Sequence, residues 1–340
     1  MDPDAVDRVE RVPHGSSDET DVLDLSANIN PEIPDGTRAV YEAALDAARS
    51  YPPEEYPEFR AAAAAYVGCE RGQVVPTAGG VAGIRLAIGT TVSPGESVLL
   101  PHPSFGEYAR EVKLAGGEPV FVRETDLLNR DPSEYAMVVV CTPNNPTGWL
   151  PEADRLAAFI DRCRETDTVV LIDEAFLGFT GRESMAGEGV VAVRSLTKLF
   201  GLPGLRAGFV VAEGSLSNRL RTARPPWALS APAAAVGAHG MEDEAFVEAT
   251  RRRIERERAY LRDGLESIGF DVRPSEAPFV LLDVGEPPGE LLEACRRRGV
   301  VLRDATTFRG LSEHVRVAVR DRESSDRLLS VLEDIADSRR

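Results

Sequence analysis

Seven short apolar runs, at residues 74–75, 97–100, 119–122, 137–141, 169–172, 190–193 and 207–211, alternate with stretches of helical spacing or glycine turns. None of them alternates apolar with polar residues. That is the pattern of strands buried on both faces, and the intervening helices supply the crossovers a mainly parallel sheet requires. The fold class is therefore α/β. Ahead of these runs, 23–31 reads as a short strand ending in an Asn/Pro turn, 37–49 carries Val40, Ala44, Leu45 and Ala48 at helical spacing, and 59–67 is an alanine-rich helix. Past residue 240 a long charged helix at 243–267 leads into strand-like segments at 270–273, 279–283 and 314–320, with helices at 288–298 and 323–337. This is a small α/β unit after a connecting helix. Residues 1–22 are polar with little periodicity and read as a partly ordered arm.

A chain of 340 residues accommodates one large domain and a smaller one. It has no apolar run of about 18 residues to span a membrane, and its acidic start lacks the basic and apolar regions of a signal peptide, so the expected location is cytoplasmic. Cys69, Cys141, Cys163 and Cys295 lie far apart with no CxxC pair, which argues against a zinc site or a disulfide framework; no metal is expected. The net charge of −17 repels nucleic acid and anionic membranes. Only two of the 39 basic residues are lysines. An acidic, lysine-poor surface fits a halophilic protein; arginine codons in a GC-rich genome give the same bias. The two readings separate in salt, because repulsion reaches about 30 Å at 0.01 M ionic strength and about 3 Å at 1 M. A halophilic chain is expected to gain thermal midpoint steeply from dilute buffer to molar KCl, and a flat response returns the bias to codon usage.

Of the two lysines, Lys113 and Lys198, the second lies in the apolar, glycine-rich stretch Ser195-Leu-Thr-Lys-Leu-Phe-Gly-Leu-Pro-Gly-Leu-Arg206. An amine in a mostly apolar site is pushed toward its neutral form, which condenses with aldehydes. Lys198 is thus a candidate Schiff-base lysine. Ser195 and Thr197 add hydroxyl donors, and Arg206 a fork suited to phosphate. Aldehyde and phosphate capture in one loop point to pyridoxal phosphate; the same segment would also serve as a Gly/Pro-rich surface turn. Thr77-Ala-Gly-Gly-Val81 opens a helix whose free N–H groups suit a phosphate, or only a tight turn. Asp173, closing an apolar run, is placed either to keep a pyridine nitrogen protonated or to cap a helix. Asn145, in Thr142-Pro-Asn-Asn-Pro-Thr-Gly148, is a donor for a phenolic oxygen. Phe105 or Tyr108 offers a ring to stack on. Asn145, Asp173 and Lys198 each end a strand-like run, where ligands of α/β sheets bind.

With these pieces in this order, the chain resembles the aspartate-aminotransferase-like superfamily, fold type I, of pyridoxal-phosphate enzymes. Asn-Asn-Pro-Thr-Gly, Asp-Glu-Ala and Ser-Leu-Thr-Lys with an arginine eight residues on are similar to the histidinol-phosphate aminotransferase branch. His14-Gly15, Asp24-Leu-Ser-Ala-Asn-Ile-Asn-Pro31, Ser104-Phe-Gly-Glu-Tyr108, Asp173-Glu-Ala-Phe176, Pro226-Trp227 and Leu302-Arg-Asp304 more closely resemble the threonine-phosphate decarboxylases of cobalamin synthesis. The resemblance covers about residues 14 to 335.

It implies a homodimer with an arm at 1–39, a large cofactor-binding domain at 40–235 and a small domain at 236–340 that the arm joins. Lys198 would hold the cofactor aldehyde, Asp173 face the pyridine nitrogen, Asn145 the phenolic oxygen, and Phe105 stack on the ring. The phosphate cup would be Gly80, Val81, Ser195, Thr197 and Arg206, joined by Tyr51 of the opposite subunit. Arg316 would bind a substrate anion, with Arg303, Arg320, His14 and Asn30 beside it. The implied substrate is a phosphorylated amino acid or amine, and the implied reaction is decarboxylation of threonine phosphate, with histidinol-phosphate transamination as the alternative. The chain departs from the pattern in four places: Phe176 stands where a tyrosine usually also bonds the phenolic oxygen, which shifts that work onto Asn145; the 77–82 turn lacks the usual Gly-Asn-Gly sequence with its acidic residue, which bears on the side-chain part of the phosphate cup; and Pro278 and Ser230 each replace an asparagine, which bears on specificity.

Overall fold

A computed structural model describes residues 2–338. The arm holds a short helix α1 (Pro3–Val6) and strand β1 (Leu23–Asp24), followed by helices α2 (Thr37–Ala47) and α3 (Pro57–Val67). The main sheet is built from β2 (Val74–Thr77), β3 (Ser97–His102), β4 (Glu118–Arg123), β5 (Met137–Cys141), β6 (Val169–Asp173), β7 (Val190–Ser195) and β8 (Gly208–Val211), in the order β2-β8-β7-β6-β5-β3-β4. Helices α4 (Gly80–Thr91), α5 (Glu107–Leu114), α6 (Ala153–Glu165) and the single turn α7 (Leu196–Leu199) connect them. All seven apolar runs are strands. The sheet is parallel except for β8, which pairs antiparallel with both β2 and β7.

The continuous apolar runs divide between two cores by simple alternation. Val138 and Val140 of β5 join Val170 and Ile172 of β6 on one face, against Phe59 of α3 and Phe159 of α6. Met137 and Val139 join Leu171, Val191 and Val210 on the other, against Ile84 and Ile88 of α4 and Val112 of α5. Each such aliphatic side chain contributes roughly 1.5–3 kcal/mol by leaving water. The middle strands, covered on both sides, are therefore the firmest base the chain offers. β5, β6 and β7 lie side by side and parallel, in register Cys141↔Asp173↔Val193. Their C-terminal ends deliver the Asn145 turn, Asp173 and the Ser195–Lys198 segment to one place.

After α8 (Gly214–Ala223) and α9 (Ala231–Glu242), Asp243 caps α10 (Glu244–Ile268), accepting the Phe246 N–H at 2.9 Å. Ser230 caps α9 the same way, accepting the Ala233 N–H at 3.2 Å. The remaining elements are β9 (Asp271–Val272), β10 (Phe279–Asp283), α11 (Gly289–Arg297), β11 (Val300–Val301), β12 (Arg303–Asp304), β13 (His314–Ala318) and α12 (Arg322–Ser338). An antiparallel sheet of order β12-β13-β10-β9 forms there, and β1 pairs parallel with β11, tying the arm to this part of the chain. Arg303 and Arg316 are direct cross-strand partners. Residues opposite one another in an antiparallel pair point to the same face. Among the described residues no helix is long and apolar enough to cross a membrane.

Candidate active site

A cavity of about 330 Å³ opens where the ends of β5, β6 and β7 meet the arm and the C-terminal sheet. Of the fifteen residues to which the resemblance gives a site role, twelve line it: His14, Gly80, Val81, Phe105, Asn145, Asp173, Ser195, Thr197, Lys198, Arg206, Arg303 and Arg316. Three do not. Asn30 instead supports the turn that carries Lys198: its N–H donates to the Lys198 carbonyl at 3.2 Å, and its side-chain amide to the Leu199 carbonyl at 2.6 Å. Its Oδ1 accepts from Arg253 at 2.5 Å, so its polar atoms are spent inside the protein. Arg320 lies past the end of β13, its carbonyl accepting from Arg253 at 2.5 Å. Tyr51 is 78% exposed and stacks on Trp227 with ring centroids 4.3 Å apart.

At one end of the cavity the chain forms an anion cup. Gly79, at φ +85°, precedes α4, and no side chain caps that helix. Its first N–H groups are free, and the positive end of the helix dipole adds to them. A Cβ at Gly79 would stand 2.6 Å from an Arg206 nitrogen, so only glycine lets the guanidinium approach. Arg206 itself adopts φ +56°, a conformation that costs a non-glycine residue energy and is retained where the side chain must reach one place. The Ser195 and Thr197 hydroxyls, 2.8 Å apart, complete the cup.

Deeper in, Lys198 is half-buried, with its amine shielded from water. Burial, with Arg316 and Arg206 adding to it and Asp173 opposing, pulls its amine down to about 8. Asp173 is pushed up from the ordinary carboxylate range, by burial above all, against hydrogen bonds from Tyr108 and Ala175 and the charge of Lys198. Its Oδ2 accepts from the Tyr108 phenol at 2.6 Å, and its Oδ1 from the Ala175 N–H at 3.0 Å. The phenol is itself driven well above its usual value by burial beside that carboxylate, so it keeps its proton and is the donor.

On the opposite wall, Arg316 is buried and pushed down to about 9 by burial and by Arg303. It donates to Asn145 Oδ1 at 2.5 Å and to the Ser26 carbonyl at 2.8 Å, while its Nε has no partner. Arg303 donates to the Pro13 carbonyl at 2.7 Å and to Thr307 at 2.8 Å. Both guanidiniums lie over Phe308, at 5.4 and 5.8 Å from the ring centre. His14 reaches Glu107 at 3.1 Å. The Asn145 turn is pinned from below by Glu124, which accepts from Thr147 at 2.6 Å and from Asn144, and whose carboxyl burial pushes up to about 7.

Sequence reasoning missed Asn28, Tyr108 as a partner of Asp173, and Glu124. Asn28 lines the cavity with a buried Oδ1 that has no partner. Asn28 belongs to the same Ser26–Asn30 motif as Asn30, and of the two it is Asn28 that lines the cavity.

The model of the class I and II aminotransferases matches residues 20–332. The chain belongs to that family. Its cofactor is pyridoxal 5'-phosphate, and the free helix N-terminus, paired hydroxyls, Arg206 and shielded Lys198 amine fit that molecule's phosphate and aldehyde. Among relatives of this aminotransferase-family chain, histidinol-phosphate aminotransferase from Halobacterium salinarum is 32% identical over 346 residues, spanning 94% of this chain and 93% of its own. Two solved structures share the fold. L-threonine-O-3-phosphate decarboxylase from Porphyromonas gingivalis superposes with a TM-score of 0.84 at 24% identity, over 93% of this chain and 100% of its own. Histidinol-phosphate aminotransferase from Sinorhizobium meliloti, solved in complex with pyridoxal-5'-phosphate, gives 0.84 at 19% identity, over 92% and 90%.

Proposed function

We propose that this chain decarboxylates L-threonine O-3-phosphate to (R)-1-aminopropan-2-ol O-phosphate, a step toward cobalamin. The observation that best supports this reading is the charge of the cavity wall. Lys198, Arg206, Arg303 and Arg316 line it, and Asp173 is its one acidic residue. With Arg206 given to the cofactor phosphate, Arg303 and Arg316 are left for a substrate carrying two anions, a phosphate and a carboxylate. Histidinol phosphate brings one.

Bound pyridoxal phosphate supplies an aldehyde for the substrate amine and a ring that takes up electrons released at the α-carbon. In this reading Gly80, Val81, Ser195, Thr197 and Arg206 would hold its phosphate, Phe105 would pack on the ring, Asn145 would donate to the phenolic oxygen and Asp173 would hold a proton at the pyridine nitrogen. Arg303, Arg316, His14 and Asn28 orient the substrate so that the bond from the α-carbon to the carboxylate stands across the ring plane. With the cofactor supplying the electron sink, loss of that carboxylate would leave the α-carbon to be reprotonated, and the Lys198 ammonium would be the group to return that proton. Residues 40–235 carry the cofactor, and the arm at 1–39 together with 236–340 carries the substrate anchors.

A second reading is transamination of histidinol phosphate. The curated relatives from Halobacterium salinarum, Archaeoglobus fulgidus and Nitratidesulfovibrio vulgaris all bear that name, at 30–32% identity, and as a group they back this reading better than the first. Arg303 and Arg316 would equally take the two carboxylates of a keto acid. Incubation with each phosphate ester, with and without 2-oxoglutarate, decides. Carbon dioxide from threonine phosphate without keto acid is the expected result; glutamate from histidinol phosphate with no decarboxylation sinks it.

The exposed Tyr51–Trp227 stack, with Ile33, Tyr41 and Leu45 also exposed, fits a homodimer in which Tyr51 reaches the partner's cofactor phosphate. Tyr51→Phe is expected to weaken cofactor retention by about 1.5–3 kcal/mol, one hydrogen bond to a charged acceptor. A monomer in sedimentation, with unaltered cofactor affinity in the variant, contradicts it.

A further inference from the structure

Both oxygens of Asp173 are engaged within the protein, and the two donors differ in kind. The Ala175 N–H comes from the backbone two residues on and does not depend on which side chain stands there, proline excepted. The Tyr108 phenol comes from the first turn of α5, 65 residues away in sequence, and is among the described residues the one side chain that donates to this carboxylate. At 2.6 Å the contact has the length of an O–H···O⁻ bond. Tyr108 is fully buried, set edge-on to Phe105 with centroids 5.7 Å apart, and Cys141, which also lines the cavity, donates to the Pro143 carbonyl at 3.4 Å.

A fully buried carboxyl favours its neutral form unless donors hold the anion. A pyridine nitrogen facing such a group shares one proton with it, and that proton sits on whichever partner is the stronger base. Donation from a phenol stabilises the carboxylate and makes it the weaker base. We propose that Tyr108 is a positioning residue that, through Asp173, keeps the shared proton on the cofactor nitrogen and the carboxylate turned toward it. The inference rests on Asp173 being the nitrogen's partner.

The test reads the proton directly, by the ¹⁵N chemical shift of ring-labelled pyridoxal phosphate bound to the protein, with cofactor affinity and thermal midpoint measured alongside. The wild type is expected at the protonated position and Asp173→Asn at the unprotonated one. Loss of a bond to a charged group changes such a partition about ten- to a hundredfold. Tyr108→Phe should therefore move the shift toward that of Asp173→Asn and add nothing in the double variant. Tyr108→Leu carries the same expectation should the phenylalanine variant fail to fold, and 3-fluorotyrosine at position 108, which keeps the donor, should stay at the wild-type position. A folded Tyr108→Phe with the wild-type shift, beside a displaced Asp173→Asn, overturns the role of Tyr108. An Asp173→Asn shift equal to wild type overturns instead the assignment on which it rests.

Discussion

Lys198→Ala is expected to abolish turnover, by on the order of 10⁴-fold or more for loss of the group proposed to anchor the aldehyde and move a proton, and to remove the visible band of bound cofactor. Lys113→Arg, on the exposed side of α5, should change neither. The substituted protein should be no less stable than the original. Lys198 is a buried amine with Arg316 and Arg206 as its cationic neighbours, and only Asp173 favours its charge. Alanine removes that conflict. The pH dependence follows from the same cause. An amine near 8 is about one-tenth neutral at pH 7, against less than about one part in a thousand for an ordinary lysine near 10.4. Cofactor uptake by the apo-protein should therefore rise about tenfold per pH unit below 8 and level off above it. An active Lys198→Ala enzyme, or uptake that keeps climbing to pH 10, removes the basis of the site.

The strands of the main sheet were legible because burial on both faces leaves a continuous apolar signature, and a strand-end position then says where a side chain such as Asp173 must emerge. Direction was not legible. β8 is as apolar as its neighbours and runs the other way, since period and composition are the same in either sense. Arg316 and Arg320 look alike in sequence, four apart in one strand-like run. The strand ends at Ala318, so only the first stays over the cavity. Asn28 and Asn30 share one motif, and which of them faces the ligand depends on how 26–30 packs against the Lys198 turn. The pairing of Arg303 with Arg316 and the bond from Tyr108 to Asp173 are long-range contacts that exist only after folding.

Arg316→Met carries the next largest expected effect. The guanidinium is buried and still charged at neutral pH, and what it touches inside the protein is neutral: Asn145 Oδ1 and the Ser26 carbonyl. A buried cation left with neutral acceptors is costly to folding and is the arrangement expected where the compensating anion arrives with the substrate. Removing it strands that anion in the same pocket, which costs about 3–5 kcal/mol, or roughly 10²- to 10⁴-fold in kcat/KM. Arg316→Lys keeps the charge but not the fork that spans Asn145 and Ser26, so it should recover only part of the loss. Cofactor affinity should change far less, because Arg206, Ser195 and Thr197, the proposed phosphate cup, are untouched. If kcat/KM for the true substrate stays within about fivefold of wild type in Arg316→Met, by steady-state kinetics at matched cofactor loading, the anion-binding reading of this wall fails and Arg303 alone would have to carry it.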